Sequence, residues 1–513
     1  MRKIRTGVVL FVVAATASAA PAPTIVQISN GAAYGPNDGP QNRKFVAAAW
    51  NEDQTPDAPG NADGSIETFL IDVRTNALRQ ITSLPAGGKA HPIAWLADGR
   101  LLLRANGDVT TGAATSLGGI RLYLHKPGAG SRPGTTTLVS ETLDFGADVP
   151  RVLLSPNGRT WFFETTADLG GNADGSQEVY AYDPKKGTLR QLTNGPDRDS
   201  QFMGVVEKGK RLLLWSTADL TGQGTNVSGE SAAFLFDLKT SAFEQITSGD
   251  ERVLFSPDSE LSTPVIDPTG RWISLTFVIE PPMSVHYDRK IYDLKTRTFR
   301  PSIRDGALRF VPGSSLALLS TQQDLVPSAT PGEGNADGSY EVFTMDLKTG
   351  QIVQRTASAG DSRIGVAPTN RNVPVVVHST GDLTPGAPGN VGGLQQIFFV
   401  SIAAKPKPTV QATAGASGST AEFVVGGHVV FFSSADLVPG GNADGSSEVF
   451  AANTKGPLKL RQITSAPSGE SYTWNYSQPL DGRTVFLLST GDITPGAPGN
   501  ADGSEELYRA RIR

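Results

Sequence analysis

The chain has 513 residues, with 45 basic against 50 acidic side chains and a formal net charge of −5. That length suffices for a large core, and with no basic block nucleic acid is not an expected partner. Cysteine is absent, which excludes disulfides and thiolate metal sites, while 57 Gly and 35 Pro against 4 Met suit short strands and many turns.

Residues 1–20 read as a secretory signal. Arg2, Lys3 and Arg5 form a positive start, Gly7–Ala15 an apolar run, and Ala17-Ser18-Ala19 a small-residue cleavage pattern. The run is short for a spanning helix. The expectation is an exported bacterial chain, periplasmic or extracellular and not membrane-spanning, with residues 21–513 as the mature domain. Its first element is a lone β-prone segment, Thr24–Ser29.

Next comes a string that returns five times. Gly-Asn-Ala-Asp-Gly-Ser occupies 60–65, 171–176, 334–339, 441–446 and 499–504, and each copy is followed by Glu67, Glu178, Glu341, Glu448 or Glu506. The gaps between the Asp residues are 111, 163, 107 and 58. They fit two, three, two and one copies of a unit of about 54 residues, a period of propellers and solenoids. Eroded copies then belong near residues ~118, ~228, ~283 and ~390. Asn226-Val-Ser-Gly229 and Asn390-Val-Gly-Gly393 answer two of these, Ser116-Leu-Gly-Gly119 answers a third poorly, and Pro281-Pro282 stands at the weakest. The count is nine units.

The third unit shows the grammar. Val152-Leu-Leu154 is a strand, Ser155-Pro-Asn-Gly158 a turn, and Arg159–Glu164 an aromatic strand. The hexapeptide loop follows, then Glu178–Asp183 alternates with period two, Pro184–Gly187 turns, and Leu189–Thr193 ends the unit. This predicts a four-stranded antiparallel sheet. The third strand carries one aromatic column: Phe69, Tyr123, Tyr180, Phe234, Phe343, Phe398, Phe450 and Tyr508, with Tyr292 displaced by two in the fifth unit. Such a column reads as packing between sheets. The last strand repeats Gln-Ile/Leu-Thr at 80–82, 191–193, 245–247 and 462–464. The ninth unit stops at Tyr508–Arg513 without that strand, and Thr24–Ser29 supplies it. The fold expected is an all-β propeller of about nine four-stranded blades, closed by an N-terminal strand that pairs with the last blade and removes open edges. Nine exceeds the usual four to eight blades, so two smaller propellers compete with one ring; the single terminal clasp favours one ring.

Ser-Pro-Asn-Gly, an aromatic strand, Glu-Val-Tyr/Phe-x-x-Asp and Gln-Leu/Ile-Thr together resemble the WD-like repeats of TolB-type propellers. The resemblance covers nearly the whole mature chain, in the form of an exported bacterial subgroup with the hexapeptide inserted. It implies a propeller with a binding face and a periplasmic scaffold role. The chain departs from TolB in lacking a separate N-terminal α/β domain and in having about nine units where TolB has six.

The hexapeptide also falls in the register of an EF-hand-type loop, D-x-[DN]-x-[DN]-G with an acid at position nine. The candidate oxygen ligands are Asn61, Asp63 and Glu67; Asn172, Asp174 and Glu178; Asn335, Asp337 and Glu341; Asn442, Asp444 and Glu448; and Asn500, Asp502 and Glu506. Position one is acidic only at Glu333. An upstream Asp in Ser/Thr-x-Asp-Leu, as at Asp168, Asp219, Asp382, Asp436 and Asp492, offers a substitute. Two readings stand: structural turns built from Asx hydrogen bonds, which we place first, and calcium binding that stabilises by linkage.

Catalytic signatures are sparse. His91, His125, His286, His378 and His428 fall in different units, and no Gly-x-Ser-x-Gly elbow, phosphate loop or dinucleotide fingerprint occurs. The expected function is a monomeric, non-enzymatic scaffold that binds a protein or glycan of the cell envelope through one acidic face of long loops. The alternative is a polysaccharide hydrolase or lyase with carboxylates at the pore.

Overall fold

The computed structural model describes residues 25–29, 44–51, 53–54, 60–110, 117–128, 134–140, 143–146, 150–226, 229–247, 251–255, 263–279, 286–327, 334–384, 386, 389–390, 392–405, 407–466, 469–473, 483–494, 500 and 503–512. The signal segment, Thr24, Pro281-Pro282 and the candidate ligand Asp502 lie outside them.

Nine antiparallel sheets follow one another along the chain. Seven have four strands, and the third is the plainest example: Arg151–Leu154, Trp161–Thr165, Glu178–Asp183 and Thr188–Gln191, paired in that order. The first sheet shows three strands among the described residues: Phe45–Trp50, Glu67–Asp72 and Leu78–Gln80. The fifth is the irregular one. Both Val253–Leu254 and Val265–Ile266 pair with Trp272–Ile279, and both Thr298–Phe299 and Ile303–Arg304 pair with His286–Asp293. The only helical element among the described residues is the short 3-10 turn Glu207–Gly209, and no helix there is long and apolar enough to cross a membrane.

The last sheet closes as expected. Its order is Ile25–Gln27, Glu506–Arg511, Thr484–Ser489, Ser471–Thr473, so the first strand of the chain is the outer strand of the final blade. Gln27 lies opposite Tyr508, the register in which Gln80, Gln191, Gln354 and Gln462 face Phe69, Tyr180, Phe343 and Phe450.

The hydrophobic core is divided into nine clusters, each shared by two neighbouring blades. Blades 2 and 3 enclose Leu102, Leu122, Trp161 and Tyr180, and blades 4 and 5 enclose Leu213, Leu235, Ile273 and Leu275. The decisive cluster joins Val46, Trp50 and Phe69 of blade 1 to Phe486, Leu488 and Leu507 of blade 9. Arg509 adds a guanidinium hydrogen bond to the Val73 carbonyl across the same boundary. One ring of nine blades, rather than two smaller propellers, is therefore the architecture. The third-strand aromatics are buried at 0–4% exposure, since each lies on the strand faces that meet the next sheet. In blade 5 Asp293 pairs with Thr298 as Asp183 pairs with Thr188, so Lys290 holds the column position and Tyr292 sits two residues on, against Phe299 at 4.9 Å.

Candidate functional site

Each hexapeptide joins the second strand of a blade to the third, so the five copies share one face of the ring. The local shape follows from the residue types. Asp63 Oδ1 accepts the Ser65 N–H at 3.0 Å, and Asp174, Asp337 and Asp444 do the same for Ser176, Ser339 and Ser446. The Gly between them holds φ of 72° at Gly64, 74° at Gly175 and 72° at Gly338, left-handed backbone that a side chain resists. The Asn amide then clamps the turn: Asn61, Asn172, Asn335, Asn442 and Asn500 donate Nδ2 to the carbonyl four residues on, at 2.6–2.8 Å.

The sequence-predicted residues divide into two layers. Asn61, Asn172, Asn335, Asn442 and Asn500 are at most 6% exposed, and Glu67, Glu178, Glu341, Glu448 and Glu506 at most 2%. Asp63, Asp174, Asp337 and Asp444 are exposed, with the flanking Ala and Gly. The motif thus has a buried root and an exposed Ala-Asp-Gly tip.

Each buried Glu is held by its own blade. Glu178 accepts from the Thr193 hydroxyl, the Gly195 N–H at 2.7 Å and Ser176 Oγ at 3.3 Å. Glu67 takes Thr82, Leu84 N–H and Ser65; Glu341 takes Thr356, Ser358 N–H and Ser339; Glu448 takes Thr464, Ala466 N–H and Ser446. In blades 1, 3 and 8 the Thr is the end of the Gln-Ile/Leu-Thr strand, and in blade 6 of Gln354-Arg355-Thr356; its oxygen also receives the next third-strand amide, Val179 N–H at 2.8 Å in blade 3. Sequence reading noted that tripeptide and missed its role, although pairing Tyr180 with Gln191 necessarily sets Glu178 opposite Thr193. At the ring's seam Ser29 replaces the Thr: its hydroxyl donates to Glu506 at 2.5 Å and accepts Leu507 N–H at 2.7 Å. The Gln of the tripeptide reaches back to the loop, with Gln462 Nε2 2.8 Å from the Gly441 carbonyl.

The cluster is rich in acceptors. Ser176 Oγ lies 3.2 Å from Asn172 Oδ1, 2.8 Å from Asp174 Oδ1 and 3.3 Å from Glu178 Oε1, and one hydroxyl proton cannot serve all three. A proton on the Glu, or a cation, would balance the set. Burial pushes the Glu67, Glu178 and Glu341 carboxyls above the usual range, outweighing their Thr, Ser and amide donors. The upstream Asp residues serve the loop amides: Asp168 accepts from Gly170, Gly171 and Asn172, and Asp436 from Gly440, Gly441 and Asn442. These amides hold both carboxyls below their ordinary range. No group of three or more His, Asp or Glu among the described residues is disposed to hold a metal.

The loops also tie blades together. Gln177, between Ser176 and Glu178, gives its carbonyl to Ser200 N–H of the next blade at 2.6 Å, as Tyr340 does to Ser362 and Ser447 to Ser471. The histidines are spread around the ring, and burial lowers His91, His125 and His378 to about 4. His378 Nε2 accepts the Ala421 N–H at 2.8 Å, a neutral structural imidazole.

No model of a protein family matches the chain, and no curated protein matches it. Among solved structures it is similar to TolB from Acinetobacter baumannii at 15% identity and a TM-score of 0.30, over 61% of this chain and 63% of that one. An oligogalacturonate lyase from Vibrio parahaemolyticus aligns at 10% identity and TM-score 0.34, over 76% and 96% of the two chains. A puromycin-hydrolyzing peptidase from Mycobacterium tuberculosis aligns at 12% and 0.37, over 66% and 50%. On its nine sheets the chain is a β-propeller, with TolB proteins among the solved structures it resembles.

Proposed function

We propose that the chain is an exported, monomeric, non-enzymatic scaffold whose hexapeptide face binds a protein or glycan of the cell envelope. The observation that carries this reading is the division of the motif into buried root and exposed tip. Asn and Glu spend their hydrogen bonds inside the blade, so the repeated Asp-Gly tips are presented on a rigid ring and add negative charge to one face. The signal-like residues 1–20 support export.

The quadruple substitution D63N/D174N/D337N/D444N tests it. Asn keeps an oxygen for the Ser amide and removes the charge. The variant is expected to fold as wild type and to lose capture of envelope partners and glycan-array binding; unchanged capture would overturn the reading. Turnover of a polysaccharide by wild-type protein would replace it with the hydrolase or lyase alternative. Calcium stays a proposal for the acceptor-rich clusters, read by melting: a calcium-dependent rise in Tm of chelated protein supports it, and an unchanged Tm sinks it.

A further inference from the structure

The opposite face of the ring carries the turns between first and second and between third and fourth strands. In blades 1, 3, 4, 5 and 6 the third strand ends in Asp72, Asp183, Asp237, Asp293 or Asp346. These carboxylates accept the turn amides that follow, for example Lys239 N–H on Asp237 and Lys348 N–H on Asp346, each at 2.8–2.9 Å. The other four blades lack the Asp: blades 2 and 9 end in Lys126 and Arg511, and blades 7 and 8, which are neighbours, in uncharged residues. Asn453 ends the third strand of blade 8, and Ser401 stands at the matching position of blade 7.

A cavity of about 600 Å³ opens between these two blades. Its floor is apolar, with Phe399 and Ile402 at 5% and 2% exposure. Its walls include Val410 and Leu458, at 43% and 39% exposure, two of the six large apolar side chains that stand exposed among the described residues. Arg371, Lys407 and Lys455 are the charged residues of the lining, and among the described residues no carboxylate joins them. The loss of the strand-end Asp in both blades produces that imbalance. In a chain of net charge −5, three cations around an apolar floor form a local field of the opposite sign. The volume lies within the range of ligand pockets, so the groove takes side chains rather than a whole domain. Contiguous exposed apolar surface rimmed by polar groups marks an interaction site.

We propose that this groove docks an acidic peptide segment of a partner protein, its Asp or Glu residues meeting Arg371, Lys407 and Lys455 and its large apolar side chains entering over Phe399 and Ile402. The groove lies across the molecule from the hexapeptide loops, so the proposal does not rest on the scaffold reading.

Fluorescence anisotropy with labelled synthetic peptides tests it on the full chain. The probe alternates Glu with Leu and Phe; one control replaces Glu by Lys, another replaces Leu and Phe by Ser. The acidic apolar peptide is expected to bind at least about tenfold more tightly than either control and to weaken with added salt. K407E/K455E and L458S are each expected to weaken it by about tenfold or more. These side chains are exposed, so an unchanged melting curve shows that the fold is kept. The D63N/D174N/D337N/D444N variant is expected to bind the peptide as wild type does, which separates failure here from failure of the scaffold reading. Binding of either control within a few fold of the probe, no binding of the probe up to about 1 mM, or binding of dodecanoate in place of every peptide would overturn the proposal.

Discussion

Replacing Ser29 tests ring closure at a single hydroxyl. Ser29 is 2% exposed; it donates to Glu506 Oε2 at 2.5 Å and accepts Leu507 N–H at 2.7 Å. Ser29→Ala removes both bonds at a site where Ser29 and Glu506 are each 2% exposed. An unsatisfied buried group costs about 1–3 kcal/mol, and more when charged, so the loss is about 2–5 kcal/mol. Ser29→Thr installs the residue that the other clasps use at this register, as at Thr193 and Thr464, and is expected to stay within about 0.5 kcal/mol of wild type. Urea unfolding followed by circular dichroism measures both. Hydrogen exchange locates the effect: the seam strand is short, so Ser29→Ala should speed exchange of the Leu507 amide while the Val179 amide of blade 3 is unchanged. If Ser29→Ala leaves exchange at Leu507 as in wild type, or Ser29→Thr destabilises as much as Ser29→Ala, the clasp does not hold the seam and the reasoning fails.

Substitutions at three other residues probe the same framework. Glu178→Ala strands the Thr193 hydroxyl and the Gly195 N–H, with an expected loss of about 2–5 kcal/mol, whereas Glu178→Gln mimics the protonated acid and is expected to cost about 1 kcal/mol. The Glu178 carboxyl is raised from 4.5 when folded, so its favourable contribution is complete below 4.5 and is lost as pH rises through the folded value; Glu178→Gln should flatten the Tm–pH curve above 4.5 and leave it unchanged below. Gly338→Ala meets open space but keeps φ of +72°, so a loss of about 1–2 kcal/mol in Tm-derived stability is expected, and Gly338→Asn should lose less. Asp293, held to about 2 first by its Arg271 hydrogen bonds, stabilises above its ordinary 3.8 and loses that contribution as pH falls through the folded value. Asp293→Asn should cost about 2–3 kcal/mol at neutral pH, and the deficit should shrink between 3.8 and about 2.

Fold was far more legible than site. A propeller repeats one local grammar, so the positions of Asp63, Asp174, Asp337, Asp444 and Asp502 sufficed to count units, and the orphan strand before Ser29 located the seam. What stayed hidden depends on pairing across strands. Glu178 and Thr193 are separated by 15 residues, and only the register that sets Tyr180 against Gln191 brings them together. Read as a linear string, the Glu looked like a ninth-position ligand beside the Asp; folded, it is buried beneath the loop while the Asp is at the surface. The split strands of blade 5 were illegible for a related reason, since Lys290 stands where the other units carry an aromatic ring and Asp288 where the five intact units carry Glu.

The eroded units show which bonds the loop can lose. Units 4 and 7 lack both the Ser and the Glu of the motif: Glu230 and Ala232 stand there in one, Leu394 and Gln396 in the other. In units 3, 6 and 8 the Ser hydroxyl lies within 3.3 Å of the Asn, Asp and Glu oxygens together, and in units 4 and 7 the Ser and the Glu are absent together. Asn226 and Asn390 remain, donating Nδ2 to the Glu230 and Leu394 carbonyls at 2.9 and 2.8 Å. That bond runs to the backbone and is indifferent to the side chain four residues on. Thr247 and Thr413 remain as well, accepting the Ala233 and Ile397 amides at 3.0 and 2.9 Å, because each still pairs a third-strand N–H that burial would otherwise leave unmade. In blade 7 Gln396 donates Nε2 to the Gly415 and Ser417 carbonyls and accepts the Gly415 N–H on Oε1 at 3.4 Å, which ties the same two segments through an amide in place of a carboxyl. In units 4 and 7 the Asn and the Thr are therefore the bonds the loop keeps, and the Ser and the Glu are what it gives up.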